Sequence, residues 1–190
     1  MASERLIVAI SGASGQIYGV RLLEALREHT DFELHLILSK GAAATIEYEL
    51  ERSPESIAEL AHALHDERNL AASLASGTFI TRGMIVAPCS VKTLSGIAAS
   101  FNDNLIVRAA DVCLKERRPL VLVVRETPLH AGHLRLMQQV TEAGAVILPP
   151  APGFYTKPKT IEELVDHTVM KALDQLSIHL DLVPRWKGPD

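Results

Sequence analysis

The chain has 190 residues, with 19 lysines and arginines against 23 aspartates and glutamates, which gives a net charge of −4. This length fits one domain, and the acidic balance excludes the basic face that DNA- and RNA-binding proteins carry. Hydrophobic residues make up 47% of the chain, which excludes intrinsic disorder, and aromatic residues only 4%, which predicts an aliphatic core.

Short aliphatic runs alternate with helical patterns along the chain. The runs predict five strands, at residues 6–10, 34–38, 84–87, 120–124 and 145–148. Helical spacing of apolar residues predicts helices at 17–27, 42–50, 57–64, 104–115, 134–143 and 161–180. This alternation predicts a parallel sheet covered by helices on both faces, and such a sheet binds its ligand at the carboxyl ends of its strands. The polar residues that follow each strand are therefore the candidate site.

The first predicted strand is followed by the sequence SGASG at residues 11–15. Small residues at the start of a helix favour an anion, so we predict a phosphate-binding loop, with a purely structural turn as the alternative. The glycine spacing is not G-x-G-x-x-G, and the second strand ends in Ser39 and Lys40 rather than in an acid that would hold a ribose. A mononucleotide such as FMN is therefore favoured over a nicotinamide dinucleotide.

Two later strand ends also carry polar residues. After the third strand, Ser90 or Thr93 can cap the helix that follows, so this segment is either a second anion-binding turn or an ordinary helix cap. Cys89 has no histidine in its own segment to activate it and is predicted to be a packed thiol. After the fourth strand, Arg125 can hold an anion and Glu126 can accept a proton, with a structural ion pair as the alternative.

Arg108 and Lys115 are seven residues apart and therefore share one stripe of the helix predicted at 104–115. If that stripe is buried, the two cations need an anion such as a phosphate. If it is exposed, local pairing with Asp111 accounts for them.

Other features of the sequence bear on location and metal content. Two cysteines do not make a disulfide framework, no signal peptide is evident, and the apolar run at 120–124 is far too short to cross a membrane. We therefore predict a cytoplasmic protein without a membrane span. Two H-x-x-H pairs, at 62–65 and 130–133, lack a third ligand, so no metal site is predicted.

Six stretches of the chain, in order, resemble the UbiX-type flavin prenyltransferases, and the similarity extends over residues 5–186. The stretches are SGASGQIYG at 11–19, PCSVKTLSG at 88–96, RAADVCLKERRP at 108–119, RETPLH at 125–130, PGFY at 152–155 and PRW at 184–186. Six ordered matches are far more specific than any one of them.

The resemblance implies a single Rossmann-like or flavodoxin-like three-layer α/β domain over residues 1–190, with a tail at about 181–190 that closes the active site. It implies a homo-oligomer, typically a dodecamer, that takes reduced FMN as a substrate. The implied reaction joins a dimethylallyl group from dimethylallyl phosphate to N5 and C6 of the flavin without a metal. The product, prenylated FMN, would serve a UbiD-type decarboxylase, for example in ubiquinone biosynthesis.

The resemblance also implies roles for individual residues. Contact with FMN is implied for Gly12, Ala13, Ser14, Ser39, Ser90, Val91, Lys92, Thr93 and Arg125. Contact with the donor is implied for Tyr155, Lys171, Arg108, Lys115 and Trp186. The catalytic candidates are Glu126, Ser14, Glu49 and Lys115, with Glu126, or the leaving phosphate relayed through Ser14, accepting the proton lost from flavin C6. Lys171 stands where some relatives have arginine, so the charge is kept without the planar fork.

Two other functions are compatible with a flavoprotein fold. One is an FMN-dependent decarboxylase that acts on a cysteine-type substrate, and the other is a non-catalytic carrier of FMN. The predicted cations on the donor side argue against the decarboxylase, because that reaction has no phosphate leaving group to accommodate.

Overall fold

The structure is a computed structural model and describes residues 4–188. Its centre is a parallel sheet of six strands in the order β3-β2-β1-β4-β5-β6. The strands are β1 Arg5–Ile10, β2 Glu33–Leu38, β3 Ala63–Asp66, β4 Met84–Cys89, β5 Leu120–Val124 and β6 Val146–Ile147. The strand order reverses between β1 and β4, so the carboxyl ends of these two strands border the crevice in which such sheets bind ligands.

Seven α-helices, counted over residues 4–188, connect and cover the strands. They are α1 Gln16–His29, α2 Lys40–Leu50, α3 Pro54–Ala58, α4 Val91–Ala98, α5 Leu105–Lys115, α6 Ala131–Glu142 and α7 Ile161–Asp174. Ser39, Ser90, Asn104 and Thr160 cap four of them by accepting a backbone N–H with the side chain. None of these helices is both long and apolar enough to cross a membrane.

Alternate residues of each central strand enter two separate cores. Leu6 and Val8 of β1 pack with α1 and α7 on one face of the sheet, whereas Ile7 and Ala9 pack with α4, α5 and α6 on the other. Both cores are aliphatic, as the composition predicts. The three-layer α/β prediction is therefore confirmed, and α5 and α7 lie on opposite faces of the sheet.

Three predicted elements differ from the structure. The helix predicted at 57–64 is wrong, because α3 ends at Ala58 and residues 63–66 form the edge strand β3. Parallel pairing with β2 stabilises this strand and overrides the local helical pattern. The last helix ends at Asp174 rather than at residue 180, and the fifth predicted strand shrinks to Val146–Ile147. Residues 189–190 of the predicted tail lie outside the described residues.

Candidate functional site

The turns that follow β1, β4 and β5 are tied together at one edge of the sheet. The hydroxyl of Ser11, which is buried, donates to the carbonyl of Pro88 at 2.9 Å and accepts from the backbone N–H of Ser90 at 2.7 Å. The backbone N–H of Arg125 donates to the carbonyl of Cys89 at 3.1 Å. Ser11 and these backbone bonds therefore fix the spacing of the three turns.

A carboxylate from the same chain occupies the start of α1. Glu49 accepts from the backbone N–H of Gly15 at 2.8 Å and from that of Gln16 at 2.9 Å. Partial burial acts to raise the pKa of Glu49, but hydrogen bonds from Ser14, Gln16 and Gly15, with the charge of Arg125, lower it overall. In this structure the first N–H groups of α1 therefore bind the Glu49 carboxylate, and phosphate binding at residues 11–15 stays a prediction.

The turn at Gly12 lies against the start of α2. A Cβ atom added to Gly12 would lie 3.0 Å from the Cα of Gly41, so the two backbones are in contact. The buried amide of Gln16 donates to the carbonyls of Ser11 and Ala13 at 3.0 and 2.6 Å and so fixes the turn from below. Glycine at position 12 therefore allows the turn after β1 to approach the start of α2 closely.

The start of α2 also faces a carboxylate. Glu67 accepts from the backbone N–H of Lys40 at 2.8 Å, and the hydroxyl of Ser39 accepts from Ala42 at 3.0 Å. Two of the helices that begin at this edge are therefore already neutralised at their positive ends.

The start of α4 differs from the starts of α1 and α2, because hydroxyls cap it and no carboxylate within residues 4–188 accepts from it. Ser90 accepts from the backbone N–H of Thr93 at 3.3 Å, and the two hydroxyls are 3.1 Å apart. The first N–H groups of a helix have no partner within it, and Val91 and Lys92 supply them here. Lys92 is exposed and adds a positive charge. This helix start therefore has the groups that an anion would need.

A cavity of about 430 Å³ opens beside α4. Five of the predicted flavin contacts line it, namely Gly12, Ser39, Ser90, Lys92 and Thr93. Phe101 and Asn104 form part of another wall, and 430 Å³ falls within the range of cofactor sites. Helix-start N–H groups and hydroxyls can hold a phosphate, and an aromatic side chain can pack on a flat ring, so the residues present fit FMN.

The remaining predicted flavin and catalytic residues lie around this edge. Ala13 is buried in the turn after β1, and Ser14 is exposed and bonded to Glu49. Arg125 is half-buried at the end of β5 and acts electrostatically on Glu49. Glu126 is exposed and accepts from the backbone N–H of Thr127 at 2.9 Å. Glu126 is thus open to a ligand while its carboxylate keeps a fixed orientation.

A second group of predicted residues follows β6. The hydroxyl of Tyr155 lies 2.8 Å from Nε2 of His167, and the Tyr155 ring meets the Trp186 ring edge-on at 5.7 Å between centroids. Lys171 lies one turn beyond His167 on α7. Burial and then the charge of Lys171 lower the pKa of His167. Tyr155 therefore contacts both Trp186 and His167, and Lys171 lies one turn from His167, a residue that we did not single out from the sequence.

The tail that carries Trp186 is held by ionic contacts. Arg185 makes two hydrogen bonds to the carboxylate of Asp174, at 2.9 and 3.0 Å, and a third to Asp181 at 2.8 Å. The hydrogen bond from Arg185 is the main cause that lowers the pKa of Asp174. A cavity of about 720 Å³ lies among the residues of this tail and Thr156. The tail therefore folds back onto the Tyr155 of its own chain.

Arg108 and Lys115 are not brought to this group within one chain. The guanidinium of Arg108 donates to the carbonyl of Ala75 at 3.1 Å and to Asp111 at 3.0 Å, and Lys115 pairs with Glu116. Both lie on α5, on the face of the sheet opposite to α7. The anion beside Arg108 is thus Asp111, which is the local pairing considered from the sequence.

Both cysteines are buried in the core that packs against α4, α5 and α6. Burial raises the pKa of both Cys89 and Cys113 to about 12, as expected for packed thiols. Across the part of the chain that the structure describes, no three His, Cys, Asp or Glu side chains are grouped so as to hold a metal ion.

Sequence reasoning missed three residues that shape the site: Gln16, Glu67 and His167. Gln16 follows the glycine-rich turn directly and lies within the stretch at 11–19. His167 precedes Lys171 by four residues, so helical spacing could have pointed to it. Glu67 is 27 residues from the backbone group that it binds, and no local pattern signals such a contact.

Comparisons with known proteins place this geometry in context. The Flavoprotein family model matches residues 1–173. The flavin prenyltransferase UbiX of Escherichia coli strain K12 is 57% identical over 187 residues, which cover 97% of this chain and 99% of that protein. The structure of AnUbiX (PadA1) in complex with FMN and dimethylallyl pyrophosphate has a TM-score of 0.97 at 48% identity and covers 100% of both chains. The dodecameric FMN-dependent UbiX-like decarboxylase from Escherichia coli O157:H7 has a TM-score of 0.94 at 47% identity, covering 97% of this chain and 100% of that one.

Proposed function

The chain belongs to the flavoprotein family and, within it, to the UbiX-type flavin prenyltransferases, and from this premise we propose that it transfers a dimethylallyl group from dimethylallyl phosphate to N5 and C6 of reduced FMN. The allylic C–O bond breaks and phosphate leaves as the bond to N5 forms with loss of the N5 proton. The bond to C6 then forms as the alkene bond of the dimethylallyl group breaks and takes up a proton, while C6 loses its own, so the flavin gains one C5H8 unit in all. Reduced flavin, when bound, supplies the electron-rich ring that forms the new bonds and stabilises positive charge at carbon.

The observation that carries the proposal is the start of α4. Carboxylates hold the starts of α1 and α2, whereas α4 presents unpartnered first-turn N–H groups and the hydroxyls of Ser90 and Thr93 to a cavity of about 430 Å³. The FMN phosphate therefore binds at α4, with Val91 and Lys92 contributing their backbone N–H groups. In this proposal Ser39 and Gly12 face the flavin, and Ala13 and Ser14 complete the turn.

The donor phosphate is assigned to Tyr155 and Lys171. Charge accumulates on the phosphate as the C–O bond breaks, so a hydroxyl donor and an ammonium group stabilise the transition state more than the bound donor. Trp186 contacts the edge of the Tyr155 ring, and in this proposal the tail at 181–188 closes over the donor once it is bound. Lys171 acts as a point charge here and does not require the bidentate geometry of arginine.

Glu126 is the group that takes the proton from flavin C6. Its carboxylate is exposed and oriented by the N–H of Thr127, so one oxygen remains available. Ser14 and Glu49 form a bonded pair at the start of α1, and the Ser14 hydroxyl provides the alternative route to the leaving phosphate. Arg125 balances the charge of Glu49 at this edge.

Assembly supplies the remaining cations in this proposal. Arg108 and Lys115 reach a donor phosphate only if α5 of one subunit faces α7 of another, which a homododecamer would allow. We further propose that prenylated FMN passes to a UbiD-type decarboxylase, and that the protein acts in the cytoplasm.

The test is anaerobic incubation of the protein with reduced FMN and dimethylallyl phosphate, followed by mass spectrometry of the flavin. A gain of one C5H8 unit supports the proposal, and oxidised FMN serves as the control that should remain unchanged. Unchanged flavin in a protein that still binds FMN would instead identify a carrier. Release of CO₂ from a cysteine-ended peptide with oxidised FMN would identify a decarboxylase.

A further inference from the structure

His167 is held on two sides at the loop that follows β6. Its Nε2 lies 2.8 Å from the Tyr155 hydroxyl, and the two rings meet edge-on at 5.7 Å between centroids. A Cβ atom added to Gly153 would lie 3.0 Å from Cε1 of the imidazole, so the loop backbone fits closely against the ring. The imidazole is therefore fixed with one nitrogen directed at the phenol oxygen.

The direction of that hydrogen bond decides what Tyr155 can do. A phenol has one proton to donate. If Tyr155 donates to His167, its oxygen offers only lone pairs to a neighbouring phosphate, which repel the anion. If Nε2–H of His167 donates to the phenol oxygen, the Tyr155 proton is free to bond a phosphate oxygen.

A phosphate and a nearby cation favour the second arrangement. Lys171 lies one turn from His167 on α7, and its charge acts on the imidazole. An anion between Tyr155 and Lys171 is stabilised by every proton directed at it, and hydrogen bonds to charged groups are stronger than neutral ones. The imidazole of His167 then donates to the Tyr155 oxygen, and the Tyr155 hydroxyl donates to the phosphate. These two hydrogen bonds run in the same direction, so each polarises the other.

We propose that His167 is a positioning residue for the prenyl donor: its Nε2–H donates to Tyr155 and turns the Tyr155 hydroxyl proton toward the donor phosphate. This inference deepens the proposed function and rests on it for the identity of the donor. His167 does not touch the donor itself, so its whole effect passes through the hydroxyl of Tyr155.

A double-mutant cycle tests this route. His167→Phe keeps an aromatic ring beside Gly153 but removes the nitrogen, and His167→Gln keeps an N–H donor without the ring. We expect His167→Phe to raise KM for dimethylallyl phosphate about tenfold through the loss of one hydrogen bond, and to lower kcat by about threefold or more as well, because the Tyr155 hydroxyl stabilises the departing phosphate more than the bound donor. His167→Gln should recover KM to within about threefold of the wild type. In a Tyr155→Phe background, His167→Phe should have no further effect.

A binding measurement supports the kinetics without requiring turnover. Trp186 is the single tryptophan of the chain and packs on Tyr155, so its fluorescence reports donor binding to the FMN-loaded, oxidised protein. Dimethylallyl phosphate and inorganic phosphate are the two probes, and His167→Phe should weaken both about tenfold. The control is His29→Gln, at the far end of α1, which should leave both dissociation constants unchanged.

Specific results would overturn the inference. Equal phosphate affinity in the wild type and His167→Phe would show that the histidine does not act on the anion. An equal loss from His167→Phe with and without the Tyr155 hydroxyl would show a packing role only. If the wild type makes no prenylated flavin, the proposed function fails, while the inorganic phosphate titration still decides whether His167 positions a phosphate donor.

Discussion

The carboxylate of Glu49 at the start of α1 allows one prediction to be worked out in full. The perturbation is Glu49→Gln, which keeps the shape of the side chain and removes its charge. Glu49 makes hydrogen bonds of 2.8 and 2.9 Å to two backbone N–H groups and faces the positive end of the helix. The glutamine oxygen can still accept from these N–H groups, so the change weakens a cap worth about 1 kcal/mol and removes a helix-start charge worth about 0.3–1 kcal/mol. Because this side chain is exposed and screened by water, we expect a total loss of about 1 kcal/mol.

The assay is urea denaturation at a fixed protein concentration, at neutral and at acid pH. The pKa of Glu49 is lowered in the folded protein, so its stabilising effect is present above the unfolded pKa of about 4.3 and is lost as the pH falls below it. The difference in the free energy of unfolding between the wild type and Glu49→Gln should therefore disappear at acid pH. Glu47→Gln, two residues earlier on the same helix, is the matched control. Equal stability of the wild type and Glu49→Gln at pH 7 would refute the reasoning.

Three further outcomes are expected. In Gly19→Ala, the new Cβ would lie 2.2 Å from the carbonyl oxygen of Ala87, so α1 must move off β4, and thermal denaturation should show a loss of about 1–3 kcal/mol. Burial lowers the pKa of His35 and of His65 in the folded state, so folding opposes their protonation. The free energy of unfolding measured in urea should therefore be highest above a pH of about 6.5 and fall below it, and it should fall less steeply in His35→Phe. Arg185→Gln should free the tail, which a red shift in the fluorescence of the single tryptophan would report; an unshifted spectrum would mean that the ion pairs do not hold it.

The central strands could be predicted from the sequence because their environment is uniform. Leu120–Val124 is buried along its whole length, and an all-aliphatic run is typical of a strand covered on both faces. The edge strand Ala63–Asp66 has no such signal, since its exposed face carries Leu64 and Asp66 and its stability comes from pairing with β2. Local spacing therefore favoured a helix there.

The candidate site could be predicted in position but not in electrostatics. Polar residues after β1 and β4 come together at one edge of the sheet, and Gly12, Ser90 and Thr93 line one cavity there. Which helix start is available to an anion depends on Glu49 and Glu67, whose backbone partners are 27 to 34 residues away. Contacts over such separations follow from the fold and cannot be derived from spacing.

Gly12 and Gly41 make one wall of the cavity beside α4 rigid. Their backbones touch, so a larger side chain at either position would separate the turn after β1 from the start of α2. Phe101 lies on another wall of the cavity. Because its side chain is 66% exposed, it can be replaced by a shorter one without moving any backbone. In the flavin site proposed above, engineering toward bulkier flavin analogues should therefore randomise the Phe101 wall and leave the paired glycines untouched.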